Sequence, residues 1–239
     1  MKIGILKESH DNRVAMVPTT IKKIQSAQVA FLVEKDAGLN ASLPDSTFEE
    51  VATITNRTAI FQESDIIITV NPIAEEELAT IKKGTLIISM FAPYVDDSIS
   101  GKLKANGLQG VSMDMIPRTT LAQAMDILSS MAAIAGYKSV LTAASYLPRY
   151  FPMMITAAGS IRPAKVLVLG AGVAGLQAIA TARRLGAMVE AFDVRKAAKE
   201  EVESLGGKFI VVEGAADDKA AGGYAVQQSE DYIKRQRAK

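Results

Sequence analysis

One short segment, KVLVLGAGVAG at residues 165–175, constrains the fold of this chain more than any other. An apolar strand-forming run stops at a glycine, and a helix-forming run follows. The spacing G-x-G-x-x-G of Gly170, Gly172 and Gly175 is a weak signal alone but a specific one at a strand-to-helix turn. Gly170 permits the tight turn, Gly172 lets backbone amides approach a diphosphate, and Gly175 lets the helix pack close to the strand. The segment therefore predicts a dinucleotide-binding turn.

A carboxylate stands where such a turn needs one. Asp193 ends the next strand-like run, MVEAFD, and can accept hydrogen bonds from both ribose hydroxyls of an adenosine. Val173 and Ala174 complete the turn, where the positive end of a helix favours phosphate. Because a carboxylate repels a 2′-phosphate, Asp193 favours NAD(H) over NADP(H), with Arg195 near the adenine or in solvent. Asp193 also argues against the alternative, a glycine turn that serves packing alone.

Strand-like and helix-like runs alternate along the chain, which predicts an α/β fold with parallel sheets. We expect two Rossmann-like domains joined by a long helix at 120–146, with residues 1–135 as the N-terminal domain and residues 136–239 as the NAD-binding domain. Residues 155–164 are predicted to be a linker, and residues 214–223 a mobile loop. Strands in the first half are predicted at 2–6, 29–33, 65–70, 85–91 and 107–113.

Composition excludes several classes of function. Lysine and arginine number 27 against 26 acidic residues, so no net field draws the chain to nucleic acid. A basic cluster near the end of the sequence is better interpreted as cations at a helix C-terminus than as a binding patch: Lys234, Arg235, Arg237 and Lys239. Without cysteine, and with His10 as the single histidine, the sequence predicts no metal site and no disulfide. Uninterrupted apolar runs are too short for a membrane span of about 18 residues, so no membrane insertion is expected.

The single histidine also limits the chemistry. A conventional dehydrogenase needs a general acid or base, most often histidine, to move the substrate proton. His10 lies in an N-terminal loop, where an exposed surface position is the more common role. Hydride exchange between two nicotinamide rings needs no such group.

The segment PRTTLAQAMDILSSMAAIAGYKSV, residues 117–140, closely resembles the nicotinamide-contacting segment of the proton-translocating NAD(P) transhydrogenases. The resemblance covers nearly the whole chain and is more specific than the glycine motif. It extends through MKIGILKESHDNRVAMVP, FPMMITAAGSIRPAKVLVLGAGVAGLQAIATARRLGA, FDVRKAAKEEVESLGGKF and AGGYA.

This resemblance implies the soluble NAD(H)-binding component, domain I, which the alpha subunit carries. It implies direct hydride transfer to NADP(H) on a partner component, coupled by a membrane component to proton movement. It also implies a homodimer at the cytoplasmic or organelle-matrix face, peripheral to the membrane complex. By the same resemblance, Arg118, Gln123, Asp126 and Ser129 surround the nicotinamide, and Asp193 binds the ribose.

The spacing of Gln123, Asp126 and Ser129 or Ser130 predicts one polar stripe on the long helix. An amide, a carboxylate and a hydroxyl in such a stripe can bind a carboxamide or an arginine. On the residues alone, a solvated helix face is the more common meaning of this pattern.

Two other functions remain open. Alanine dehydrogenases share the architecture and an arginine that is here Arg13, but the stretches matching their substrate lysine and catalytic histidine read ITVNPI (68–73) and ISMFAP (88–93). A non-catalytic NAD-binding fragment or assembly subunit is the other candidate. Only three of the six strands of a complete NAD-binding domain are expected here, so we expect that domain to be incomplete.

Overall fold

The computed structural model describes residues 1–24, 28–117, 119–214 and 226–238. Arg118 and residues 215–223 of the loop expected to be mobile lie outside these ranges. The chain divides into two units, Met1–Ile127 and Leu128–Lys239.

The first unit contains six strands and four helices in the described ranges. The strands are β1 (Lys2–Ile5), β2 (Ala30–Glu34), β3 (Thr53–Thr55), β4 (Ile66–Ile68), β5 (Leu86–Ser89) and β6 (Gln109–Ser112). The helices are α1 (Pro18–Ile24), α2 (Arg57–Glu63), α3 (Glu75–Leu78) and α4 (Ile99–Ala105).

These six strands form one parallel sheet in the order β3-β2-β1-β4-β5-β6. Side chains of a strand alternate between the two faces, so Phe31 and Val33 pack into one apolar cluster while Leu32 packs into another. The strand order reverses between β1 and β4, which is where sheets of this kind place their binding crevice.

The five strands expected in this half are confirmed, and β3 was missed. It is a three-residue edge strand, TIT, with two threonines and no buried side chain. Such a short polar segment has no apolar alternation to reveal it, and its pairing with Leu32 and Val33 of β2 depends on the rest of the sheet.

The second unit contains five strands and three further helices in the described ranges, together with most of the long helix α5 (Ile127–Tyr146) that spans its boundary in sequence. The strands are β7 (Met154–Thr156), β8 (Gly159–Ile161), β9 (Lys165–Leu169), β10 (Met188–Phe192) and β11 (Lys208–Phe209). The helices are α6 (Val173–Arg184), α7 (Ala198–Ser204) and α8 (Glu230–Ala238).

Strand β9 lies at the edge of a three-stranded parallel sheet with the order β11-β10-β9. Val166 and Val168 pack against the apolar core, whereas Leu167 and Leu169 on the opposite face are 55% and 73% exposed. In the described residues, one face of this strand is therefore covered and the other is not. An apolar edge strand of this kind invites pairing with another strand.

Two expectations for the middle of the chain are corrected. The helix expected at 120–146 begins only at Ile127, because Gln123–Met125 form a 3₁₀ turn and Asp126 is extended (φ −75°, ψ 91°). The linker expected at 155–164 contains β8 and most of β7, which pair as an antiparallel hairpin. The parallel sheets and the long helix between them in sequence are confirmed.

By length and composition, α5 is the one helix of the described ranges that meets the criterion for a membrane span, with a mean hydropathy of 1.3. Only 11% of that window is buried, and Lys138 interrupts it.

Candidate functional site

The glycine turn connects β9 to α6 in the geometry that its sequence predicts. Gly170 has φ +96°, which a residue with a side chain rarely adopts, and its amide donates to the carbonyl of Phe192 at 2.8 Å. A Cβ on Gly175 would lie 1.8 Å from the carbonyl oxygen of Gly170, so the helix can approach the turn this closely only with glycine there. The turn therefore requires glycine at both positions for the fold itself.

Gly172 differs from its two neighbours. It precedes α6 with φ −76°, which any residue can adopt, and a Cβ there would meet no atom within 4 Å. Gly172 is the N-cap of α6, and the first turn that follows has backbone amides without helical partners and a dipole that favours an anion. An open space before a helix N-terminus fits a diphosphate.

Asp193 follows β10 and lies against the glycine turn. Its side chain is 7% exposed and accepts a hydrogen bond from the amide of Ala171 at 2.7 Å. It also accepts from the backbone amide and Nε of Arg195 at 2.8 and 3.0 Å, and Arg195 Nη2 donates to the carbonyl of Ala171 at 3.1 Å. The structure thus brings together three groups that the sequence placed separately: the turn, the carboxylate and the arginine.

These hydrogen bonds set the charge of the site. Burial opposes ionisation of Asp193, but hydrogen bonds from the side chain and amide of Arg195 and from the amide of Ala171 outweigh it and hold the pKa of Asp193 below its ordinary value. Asp193 is therefore a carboxylate, an acceptor only, and a bound ribose would share its oxygens with Arg195. Arg195 is not simply solvated, which was one of its two expected environments.

A cleft of about 360 Å³ opens beside Asp193. Its walls include the apolar side chains of Val194, Phe209 and Val211, and Tyr232 from α8 lies buried at its margin. Burial raises the pKa of Tyr232, although the positive charge of Arg235 acts to lower it. A flat apolar ring fits such a cleft. Sequence analysis missed Tyr232, whose only signal was an apolar position in a short, highly charged helix.

The residues expected around the nicotinamide do not form the helical stripe that their spacing predicted. Gln123 lies in the 3₁₀ turn, Asp126 is its extended C-cap, and Ser129 lies in the first turn of α5. Gln123 and Asp126 belong to the first unit and Ser129 to the second. Arg118 lies outside the described residues.

A second polar cluster, which sequence analysis missed, follows β1 and β4 where the strand order of the first unit reverses. The buried carboxylate of Glu8 accepts from the amide of Val70 at 2.6 Å and from the amide and Nδ2 of Asn71 at 3.1 and 3.0 Å. Asp11 pairs with Arg13 and also accepts from Asn71 at 3.3 Å. The hydrogen bond from Arg13 holds the pKa of Asp11 well below its usual range. The carboxylates of Glu8 and Asp11 therefore accept hydrogen bonds from groups within this cluster.

Two family models match the chain. The model described as alanine dehydrogenase/PNT, N-terminal domain, matches residues 4–135, and the model described as alanine dehydrogenase/PNT, C-terminal domain, matches residues 139–238.

Three similar proteins illustrate the range of identity. NAD(P) transhydrogenase subunit alpha of Haemophilus influenzae is 41% identical over 237 residues, covering 98% of this chain and 46% of that protein. The crystal structure of transhydrogenase from Sinorhizobium meliloti superposes with a TM-score of 0.84 at 44% identity, covering 89% of this chain and 64% of that one. An alanine dehydrogenase of Staphylococcus saprophyticus is 28% identical, covering 86% of this chain and 56% of that protein. The chain thus spans less than two thirds of the length of each of these proteins.

Proposed function

Because the chain belongs to the alanine dehydrogenase/PNT family, we propose that it is the NAD(H)-binding component of a proton-translocating NAD(P) transhydrogenase. It is a homologue of the transhydrogenase alpha subunit. In the proposed reaction, hydride moves directly between NAD(H) on this chain and NADP(H) on a partner component, and a membrane component couples the transfer to proton movement. The nicotinamides supply and accept the hydride, so this chain needs no proton-transferring side chain.

The hydrogen bond from the amide of Ala171 to Asp193 is the observation that carries the NAD(H) assignment. It joins the turn that would hold a diphosphate to the carboxylate that would bind the adjacent ribose. The open space at Gly172 would admit the diphosphate, and the apolar cleft beside Asp193 would take the adenine. A dinucleotide's diphosphate, ribose and base each have a matching group within the second unit.

We assign the nicotinamide end to Arg118, Gln123, Asp126 and Ser129 by the family resemblance. Their proposed role is to orient the ring, because hydride transfer depends steeply on distance and alignment. The domain division proposed with this assignment is an N-terminal domain at 1–135 and an NAD-binding domain at 136–239.

The proposed setting rests on the family resemblance. The chain would work with an NADP(H)-binding component and a membrane component, as a homodimer at the cytoplasmic or organelle-matrix face of the membrane. The pairing of Arg13 with Asp11 argues against the alanine dehydrogenase alternative, because a guanidinium bound to an internal carboxylate is less available to a substrate carboxylate.

The test is a calorimetric comparison of NADH with NADPH. A 2′-phosphate would lie within a few ångströms of the Asp193 carboxylate, and at an effective dielectric of about 20 such a repulsion reaches a few kcal/mol. We expect NADH to bind at least about tenfold more tightly than NADPH, since each 1.4 kcal/mol corresponds to tenfold.

Asp193→Asn should narrow this preference by about tenfold, because it removes the charge and keeps an acceptor for Ala171. Asp96→Asn, the same change at an exposed carboxylate of the first unit, is the matched control and should leave the preference unchanged. Equal wild-type affinities for the two cofactors would contradict the proposal.

A further inference from the structure

The long helix α5 contacts the rest of its unit along a narrow line. Gly136 and Val140 are its buried residues, and Ala144, one further turn along, packs against the same apolar core. These positions repeat every four residues, so they lie on one face of the helix. The glycine of this line lies against the nucleotide turn.

At Gly136 the contact is between two backbones. A Cβ on Gly136 would lie 2.1 Å from the carbonyl oxygen of Ala174, 2.9 Å from its carbonyl carbon and 3.1 Å from its Cα. Ala174 is the second residue of α6, between Gly172 and Gly175. Backbone atoms cannot rotate out of the way as a flexible side chain can, so any side chain at Gly136 must displace either α5 or the turn.

Neither partner has room to move alone. Val140 and Ala144 hold α5 against the core beyond the contact. At the next residue, Gly175 already approaches the carbonyl of Gly170 so closely that a Cβ would lie 1.8 Å from it. The first turn of α6 is therefore in close backbone contact with both α5 and the glycine that follows β9.

We propose that Gly136 is a positioning residue for dinucleotide binding: through its contact with Ala174, α5 sets the position of the amides that bind the diphosphate. This inference rests on the proposed function of the turn. If a side chain at Gly136 pushed the turn away by roughly 1 Å, the amides at the N-terminus of α6 would no longer be aligned with the diphosphate. A displacement of that size is enough to weaken an oriented binding site severely. No substrate or cofactor atom needs to touch Gly136.

The test compares two variants of α5 in the 239-residue chain, with ADP-ribose as the titrated ligand. Gly136→Ala should weaken ADP-ribose binding about tenfold or more, since the loss of one charge-assisted hydrogen bond suffices for that change. Val140→Ala removes buried side-chain volume one turn along the same face and adds no backbone contact. It should lower Tm by several degrees and leave the affinity unchanged, because Ala144 and the backbone contact at Gly136 still hold α5 in place.

If Val140→Ala and Gly136→Ala weaken binding in proportion to their loss of Tm, the role of Gly136 is merely structural and the inference is wrong. Wild-type affinity in Gly136→Ala would also overturn it. Absence of binding by the wild-type chain would instead contradict the proposed function of the turn.

A second measurement needs no variant and applies if Gly136→Ala does not fold. Coupling between two sites is reciprocal, so ADP-ribose bound at the turn should slow amide hydrogen exchange in α5 around Gly136 and Val140. Unchanged exchange in that helix at saturating ADP-ribose would overturn the inference.

Discussion

Alanine substitutions at Gly172 and Gly175 should damage different properties of the protein, because the turn uses glycine at these two positions for different reasons. At Gly175 a Cβ would meet the carbonyl oxygen of Gly170 at 1.8 Å and its carbonyl carbon at 2.8 Å. At Gly172 a Cβ would meet no atom within 4 Å, and φ is −76°. We therefore expect Gly175→Ala to damage the fold, and Gly172→Ala to damage only binding.

The magnitudes follow from these contacts. Forcing a methyl group into packed surroundings costs about 1–3 kcal/mol, and the rigid backbone contact at Gly175 places it near the upper end. Alanine in a helix recovers about 1 kcal/mol, which leaves a net loss of about 2 kcal/mol, or about 6 °C in Tm. At Gly172, alanine lowers the entropy of the unfolded chain, which stabilises the fold, but it is a poorer N-cap residue, which destabilises it. Each effect is below about 1 kcal/mol, so the two nearly cancel.

Thermal unfolding and ADP-ribose titration of the two variants separate these effects. Gly172→Ala should unfold within about 2 °C of wild type and bind at least about tenfold more weakly, because its methyl group occupies the space proposed for the diphosphate. Gly101→Ala in α4, where a Cβ also meets nothing within 4 Å, is the matched control. It should raise Tm by about 3 °C at most, because alanine favours a helix by about 1 kcal/mol, and leave ADP-ribose affinity unchanged. Normal ADP-ribose affinity in Gly172→Ala, or wild-type stability in Gly175→Ala, would refute this reasoning.

Three further predictions concern other regions of the chain. Arg13 lowers the pKa of Asp11, so their pairing stabilises the fold above the unfolded-state pKa near 4, and this stabilisation is lost as the pH falls from there towards the folded-state pKa. In urea unfolding, the free energy of unfolding should fall less between about pH 5 and about pH 3 in Asp11→Asn than in wild type, and an equal fall would count against the pair. In the assembled transhydrogenase, Asp126→Asn should slow hydride transfer, measured by stopped-flow, about tenfold or more while ADP-ribose affinity stays normal. An unchanged rate would show that Asp126 is not part of the nicotinamide site. Leu169→Lys should reduce self-association of the 239-residue chain in sedimentation velocity, because a charge on the exposed edge strand β9 opposes strand pairing between two chains. Unchanged self-association would show that β9 is not the surface through which the chains associate.

Much of the architecture could be read from short windows of sequence. Apolar runs separated by helical segments predicted five of the six strands in the first sheet. The turn between β9 and α6 was also predicted, with Gly170 at the tight turn and Gly175 at the close approach of the helix. Such patterns are local, because a strand, a turn and a helix start are each encoded within about ten residues.

The errors arose where several conformations suit one window. The spacing of Gln123, Asp126 and Ser129 fits a helix, yet Asp126 is extended and the helix starts after it. The hairpin of β7 and β8 carried Gly159 at its turn, but its strands are only three residues each and all their side chains are exposed, so no apolar alternation marked it.

The sequence by itself determined the kinds of element, the glycine turn and the carboxylate at the end of β10, because each depends on neighbours close in the chain. Only the tertiary structure decided what these groups contact. The amide of Ala171 meets Asp193 across 22 positions, and Asn71 meets Glu8 across 63. Gly136 meets the backbone of Ala174 in another helix. Contacts over such separations depend on strand register and helix packing, which the whole core sets and no short window encodes.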